Sequence, residues 1–140
     1  MPSLALFRRI AIAALLIAFV LPLTKCTSTS KDGVTTVDYQ YPFEHVVDGI
    51  KAITANETHD LDSIILGAAT IAIFFIPAAI AGVRARIQSI IYISLAAPAE
   101  WLLYEWTTIG TPQAGGIIAM SCWAVLFIVS ALTLRAKDAT

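Results

Sequence analysis

Four long apolar runs, separated by basic and polar segments, constrain this chain more than any other feature. They fall at about residues 10–24, 63–83, 87–107 and 114–134, and their lengths are close to the roughly 20 residues that a helix needs to cross the hydrocarbon of a bilayer. Only 14% of the residues are charged, against roughly 25% in an ordinary soluble domain. The sequence therefore predicts an all-α membrane protein, a four-transmembrane-helix bundle that forms a single membrane domain over residues 1–140.

The positions of the basic residues predict the orientation of this bundle. Six of the nine Lys and Arg residues lie at the N-terminus, between the second and third runs, and at the C-terminus. Positively charged loops stay on the cytoplasmic side, and an even number of spans puts these three places on one side. We therefore expect an integral membrane protein, in a bacterial inner (plasma) membrane, with cytoplasmic N and C termini. These six residues are Arg8, Arg9, Arg84, Arg86, Arg135 and Lys137.

The first run has an alternative interpretation. Two arginines precede an apolar stretch that ends at Leu23-Thr24-Lys25-Cys26, which is similar to a secretory signal with a lipoprotein cleavage box. Because Lys25 stands where that box requires a small residue, we expect an uncleaved helix. Cys26 and Cys122 are too few and too far apart in the sequence for a CxxC redox pair or a zinc site.

The outer segment, residues 25–62, is predicted to contain a β-hairpin and a short helix. Asp32-Gly33 suits a two-residue hairpin turn between β-branched flanks at residues 27–41. After Pro42 the apolar residues recur at helical spacing over residues 43–54, so this amphipathic helix either lies at the membrane surface or packs over the outer ends of the bundle. A lone hairpin is marginal in water, which is a first indication of a partner. The residues expected to make that interaction are Phe43, Val46, Val47 and Ile50.

Two histidines with acidic neighbours raise the question of a metal site in this segment. Glu44-His45 lies near Asp48, and a second group contains Glu57, His59, Asp60 and Asp62. A metal needs three or four ligands that converge from a fixed scaffold, whereas a loop this acidic contains such neighbours by chance. We therefore predict no metal and no cofactor, and we interpret Asp60 and Asp62 as residues that begin the second span.

Small residues in the second and fourth runs predict close contacts between helices. Small residues spaced four apart let helix backbones approach in a membrane, where no hydrophobic effect drives association. Pro77 is expected to kink the second span because it lacks the N–H that bonds one turn back. The predicted packing residues are Gly67, Ala68, Ala72, Ala78 and Gly82 in the second span, and Gly115 and Ala119 in the fourth.

Glu100 is an acidic residue within the third apolar run, so hydrophobic packing does not account for it. A carboxylate at membrane depth is costly unless it is protonated, paired or reached by water. Tyr104 lies one turn further along the same face and Tyr92 two turns earlier. One hypothesis makes Glu100 a proton or cation site with Trp101 and Tyr104 as an aromatic wall. The other assigns the aromatic residues to the interfacial belt, with Glu100 either hydrogen-bonded to a neighbouring helix or reaching toward the headgroups.

No motif in the sequence specifies a reaction or names a family. HExxH, phosphate-loop and GxSxG patterns are absent from the sequence, so we predict that the chain is not an enzyme and has no catalytic residues. The net charge of −1 gives no electrostatic reason to bind nucleic acid. The leading hypothesis is an accessory, assembly or partner-binding subunit that contacts lipid and either another membrane protein or further copies of itself. The alternatives are an oligomeric proton- or cation-coupled transporter that uses Glu100, and an immunity-type protective membrane protein.

Overall fold

The computed structural model describes residues 2–55 and 61–138 and is mostly helical (73%) with one small sheet. The described residues form five helices and three strands. In chain order these are α1 (Pro2–Ala18), β1 (Thr24–Thr29), β2 (Thr35–Gln40), α2 (Pro42–Thr54), α3 (Leu61–Ala79), α4 (Ala85–Thr108), β3 (Thr111–Pro112) and α5 (Ala114–Asp138).

Side chains from α1, α3, α4 and α5 share one hydrophobic core. Leu15 of α1, Phe74 of α3, Leu103 of α4, and Trp123 and Leu126 of α5 are all fully buried in it. Helix α5 packs closely against both α4 and α1. Every one of the four apolar runs therefore contributes a helix to the same bundle.

Two of these helices, α3 and α5, are long and apolar enough to cross a membrane within the described part of the chain. Only 28% of the apolar stretch of α3 and 33% of that of α5 is buried, although a helix at the centre of a soluble protein would be buried on most sides. Helix α1 has 17 residues and contains two arginines, while α4 contains Arg86, Glu100 and Glu105. Length and composition thus support two of the four predicted spans.

The helix bounds differ from the predicted spans at several ends. Helix α1 begins well before the first apolar run, so Arg8 and Arg9 lie within it, and it ends at Ala18 rather than at residue 24. Thr24 instead begins β1, where its neighbours Leu23 and Gln40 are joined by a backbone hydrogen bond of 2.8 Å. Helix α3 ends at Ala79, three residues before Gly82. Helix α5 continues through Arg135 to Asp138.

The predicted hairpin is present, and a third strand completes a sheet of order β2-β1-β3. Strands β1 and β2 are antiparallel, with Thr24 opposite Gln40 and Thr29 opposite Thr35. The turn is longer than the predicted two residues: Ser30 and Val34 close it through a 2.8 Å backbone hydrogen bond, and Gly33 has a φ of 77°, which glycine adopts without steric cost. Strand β3 pairs with the start of β1 and so ties the α4–α5 turn to the hairpin.

Helix α2 is observed at Pro42–Thr54 and lies along the first half of α3. Glu44 accepts a 2.9 Å hydrogen bond from the backbone N–H of Tyr41 and so supports the first turn. Gly49 faces Gly67, and an added Cβ at Gly49 would lie 2.9 Å from the Ser63 carbonyl oxygen. The two backbones approach this closely because neither glycine has a side chain.

Candidate functional site

Glu100 lies in a groove between α4 and α5, on the side of the bundle. The groove has a volume of about 320 Å³, and exposed residues of both helices form its edges. Among the described residues, no side chain donates a hydrogen bond to the Glu100 carboxylate, whose polar neighbour is the backbone of Ala124. The groove is lined by Ala96, Ala97, Glu100, Trp123, Ala124 and Phe127.

The aromatic residues predicted to surround Glu100 do not enclose it. The side chain of Trp101 is 68% exposed and that of Tyr104 is 57% exposed, so both point away from the core. Tyr92 is fully buried, two helical turns from Glu100. The structure therefore places Glu100, Trp101 and Tyr104 on the outer surface of α4 and assigns Tyr92 to a different cluster.

That second cluster is centred on Arg8. The sequence indicated this residue only as a basic marker of orientation, whereas the structure buries it. The Arg8 side chain is 8% exposed. Its guanidinium donates hydrogen bonds to Gln88 Oε1 at 2.6 Å, to Ser89 Oγ at 3.1 Å and to Thr133 Oγ1 at 3.2 Å. Three helices, α1, α4 and α5, are thereby joined by one side chain.

Tyr92 and Gln88 extend this cluster to the end of α3. The guanidinium carbon of Arg8 lies 5.8 Å from the centre of the Tyr92 ring, within range of a cation–π contact. Gln88 Nε2 donates to Tyr92 Oη at 3.0 Å and to the Ile80 carbonyl oxygen at 3.2 Å. Tyr92 Oη in turn donates to the Pro77 carbonyl oxygen at 2.8 Å. The cluster therefore joins the middle of α1 to the ends of α3, α4 and α5.

The charge of Arg8 is solvated by neutral groups in this cluster. Its hydrogen-bond partners are an amide oxygen and two hydroxyl oxygens, and within the described ranges none of them is a carboxylate. Its Nε is buried and makes no hydrogen bond in this part of the chain. One sequence pattern could have indicated this cluster. Polar side chains share one helix face at the start of the third run, namely Gln88, Ser89 and Tyr92.

The outer residues predicted to contact a partner lie on the free side of α2. Phe43, Val47 and Ile50 are exposed, and Val46 is half-buried. The residues of α2 that are buried are the smaller Pro42, Gly49 and Ala52. Helix α2 therefore packs on α3 through its small residues and leaves its large apolar side chains uncovered.

His45 connects α2 to the C-terminal end of α4. Its ring stacks on Trp106 with centroids 5.0 Å apart and an interplanar angle of 27°. Burial lowers the pKa of His45 below its usual value, and the carboxylates of Asp48 and Glu44 oppose this shift in part. His45 Nε2 is buried and has no hydrogen-bond partner among the residues described.

The predicted helix-packing residues have different environments. Gly67 is buried against the His45 carbonyl oxygen, which would lie 2.8 Å from an added Cβ. Ala72 and Ala78 are half-buried, whereas Ala68 is exposed. Gly82 is exposed in the turn after α3, and an added Cβ there would meet nothing within 4 Å.

The two small residues at the start of α5 make close contacts. An added Cβ at Gly115 would lie 2.7 Å from the carbonyl oxygens of Leu21 and Pro22. The Gly115 N–H donates to the Pro22 oxygen at 3.0 Å, and Ala119 is fully buried in the core. The α1–β1 connection is therefore packed directly onto the beginning of α5.

No group of three or more potential metal ligands is found over residues 2–55 and 61–138. Glu57, His59 and Asp60, which belong to the second acidic group considered above, lie outside the described residues, as does the predicted helix-starting role of Asp60. Asp62 lies in the first turn of α3.

Comparison with known proteins identifies no relative of this chain. No family model matches the sequence, and neither a curated protein nor a solved structure matches it.

Proposed function

We propose that this chain is a small polytopic integral membrane protein that serves as an accessory or assembly subunit. In this proposal α1, α3, α4 and α5 all cross the bilayer, both termini lie in the cytoplasm, and the sheet and α2 lie on the outer side. The basic ends of the apolar runs support this orientation. The outer side then presents the surface that binds another membrane protein.

The outward-facing side chains of the bundle support insertion into lipid. Large apolar residues are exposed on each helix, among them Ile10 and Ile17 on α1, Ile71 and Phe75 on α3, and Ile128 on α5. Soluble monomers rarely expose a contiguous apolar surface of this kind, whereas a bilayer is a favourable environment for it.

The lengths of α1 and α4 are compatible with crossing as well. The 17 residues of α1 rise about 26 Å and the 24 residues of α4 about 36 Å, against a hydrocarbon thickness of about 30 Å. Arg9 is exposed near the middle of α1, about 10 Å from its N-terminal end, and a long basic side chain can extend from there toward the headgroups.

The face that α2 buries is the observation that carries the partner-binding proposal. Helices normally bury their large apolar residues because this removes the most apolar surface from water. Here α2 packs on α3 through Gly49 and Ala52 and leaves Val47 and Ile50 exposed. A second surface, from lipid or protein, is needed to cover these residues.

The neighbouring strand favours a protein as this second surface. Strand β2 is at an edge of the sheet and is exposed along almost its whole length, including Val37 and Tyr39. An open edge offers unpaired backbone N–H and C=O groups, which another polypeptide can pair with and lipid cannot. Helix α2 and β2 are consecutive in the chain, so one partner can cover both.

Photocrosslinking in intact membranes tests this proposal. A photoreactive amino acid at Ile50 is expected to form an adduct with another protein, because this residue lies on the uncovered apolar face. The same amino acid at Lys51, which lies on the polar side of α2 and pairs with Asp48 at 3.3 Å, serves as the matched control. Equal adducts at the two positions, or none at Ile50, would contradict the proposal.

A further inference from the structure

We infer that the α4–α5 face binds a second copy of this chain, with Trp101 of each copy seated in the groove beside Glu100 of the other. This inference rests on the proposed membrane insertion, since it requires both copies to cross the bilayer in the same direction. In this dimer the Glu100 carboxylate gains a hydrogen-bond donor, and the exposed Trp101 side chain is buried in the groove.

The groove supplies the receiving half of the contact. Its floor includes the fully buried Trp123, and its edges are Ala97, Ala124 and Phe127. The small side chains of Ala97 and Ala124 leave the groove open toward the side of the bundle. Glu100 offers carboxylate oxygens there. Their hydrogen-bond partner among the described residues is the backbone of Ala124 and not a side chain, which leaves acceptor positions for a second copy.

Trp101 supplies the inserting half. It is the most exposed of the large hydrophobic side chains in the described part of the chain, at 68%. Its indole has a single hydrogen-bond donor, the Nε1–H, and no acceptor. It therefore complements Glu100, which is an acceptor when ionised.

Helical geometry places Glu100 and Trp101 so that a two-fold axis can bring the Trp101 of each copy to the groove of the other. Successive residues of an α-helix differ by about 100° around its axis and about 1.5 Å along it. Glu100 and Trp101 therefore lie at nearly the same membrane depth on adjacent sides of α4. Ala97 lies between these two sides, because it is three residues before Glu100 and four before Trp101.

A two-fold axis near Ala97, parallel to the bundle, then produces two identical contacts. Such an interface is isologous, so a surface that carries both a projecting group and its receptor is self-complementary. The small Ala97 side chain lets the two α4 backbones approach closely at the axis. A different partner would have to supply both a hydrogen-bond donor and a groove at the same membrane depth. This chain already has both.

Cysteine crosslinking in native membranes tests the inference. In the full chain with both native cysteines replaced, Ala97→Cys is expected to form a covalent dimer on mild oxidation or with a short bismaleimide. A disulfide requires Cα atoms within about 7 Å, which the axis at Ala97 provides. Ile71→Cys, on the exposed face of α3 and away from this groove, is the control and is expected to stay monomeric.

Two further variants distinguish the contribution of the hydrogen bond to dimer affinity from that of the inserted ring. Trp101→Phe keeps an aromatic ring but removes the donor. Because the symmetric dimer then loses two hydrogen bonds, each worth roughly 3- to 20-fold, its dissociation constant is expected to rise roughly 10- to 400-fold. Trp101→Ala removes the inserting group as well and is expected to have a larger effect. Equal dissociation constants for the unmodified chain and Trp101→Ala would overturn the inference.

Reporter tags at both termini distinguish the possible failures. If both tags are cytoplasmic and Ala97→Cys remains monomeric, the dimer is disproved while the proposed insertion stands. If the tags lie on opposite sides, the proposed insertion fails and the dimer fails with it. The mass of the unmodified chain in mild detergent is an independent measurement: a dimer supports the inference and a monomer overturns it.

Discussion

Arg8 is a buried cation whose partners are all neutral within the described ranges, and this arrangement links the two ends of the chain. Thr133 lies on the last helix and Gln88 on the turn-proximal end of α4, so one side chain near the N-terminus orders the packing of three helices. Arginine suits this position because its planar guanidinium has five donors in a fixed arrangement. A lysine offers a single ammonium and cannot reproduce that arrangement.

Replacement of Arg8 tests the energetic contribution of this cluster. Arg8→Ala is expected to lower the free energy of unfolding by about 1–3 kcal/mol, because it leaves buried polar groups of Gln88 and Ser89 without partners. Arg8→Lys should be intermediate. Denaturation in detergent, followed by helical circular dichroism, measures the change.

The adjacent arginine provides the control for this measurement. Arg9 is exposed, and Arg9→Ala should change the unfolding free energy by no more than about 0.5 kcal/mol. A similar loss for the two variants would show that Arg8 contributes through general surface charge rather than through the buried cluster.

His45 should make the packing of α2 dependent on pH. Its pKa is lowered in the folded protein, so the unfolded chain, with a pKa of about 6.5, takes up the proton first as the pH falls. The stability associated with neutral His45 is therefore full above about pH 6.5 and is lost as the pH falls through the folded pKa. Asp48 and Glu44 reduce this effect because they favour the charged ring.

Fluorescence of the tryptophans during unfolding at several pH values measures this dependence. The stability of the unmodified chain is expected to fall as the pH decreases below about 6.5, the pKa of the unfolded histidine, and His45→Phe, which keeps a ring against Trp106, should flatten the curve there. An unchanged pH profile in His45→Phe would remove His45 as the cause.

The contact between α2 and α3 explains which face of α2 is packed. Gly49 and Gly67 allow the two helix backbones to meet, and the large apolar residues of α2 are consequently turned outward. The apolar periodicity predicted the helix, but it did not indicate that the small residues of α2, rather than its large apolar ones, pack on α3. The contact between small residues determined the face because it permits the closest approach.

Alanine substitutions at the glycines test this contact. Gly67→Ala and Gly49→Ala would place a methyl group within 3 Å of backbone carbonyl oxygens, so each is expected to destabilise the pair by about 1–3 kcal/mol. Gly82→Ala, where an added Cβ meets nothing, should be neutral or stabilising by about 0.4–1 kcal/mol. Protease accessibility of α2 and thermal unfolding measure both effects, and equal behaviour of all three variants would contradict the packing.

At the scale of the whole molecule, the two native cysteines report the proposed topology. Cys26 is partly exposed on β1, whereas Cys122 is buried within α5. A membrane-impermeant maleimide added to intact cells is expected to label Cys26 and to label Cys122 only after denaturation. Labelling of Cys26 that requires disrupted cells would place the sheet on the cytoplasmic side and contradict the proposed orientation.

Much of the fold was predictable because its signals are local. The helical period after Pro42 predicted α2 almost to the residue, and Asp32-Gly33 marked the position of the hairpin turn. Strand β3 was not predicted because it consists of Thr111–Pro112, and nothing in two residues indicates that they pair with a strand more than 80 positions earlier.

The sequence by itself determined the apolar runs, the hairpin and the amphipathic character of α2, since each depends on residues within a few turns of one another. Only the tertiary structure decided that Arg8 is buried, which face of α2 packs on α3, and that Glu100 opens onto a lateral groove. Those features depend on side chains such as Arg8 and Gln88, which are distant in the chain and adjacent in space. Local patterns carry no information about such pairs, because helix packing alone brings them together.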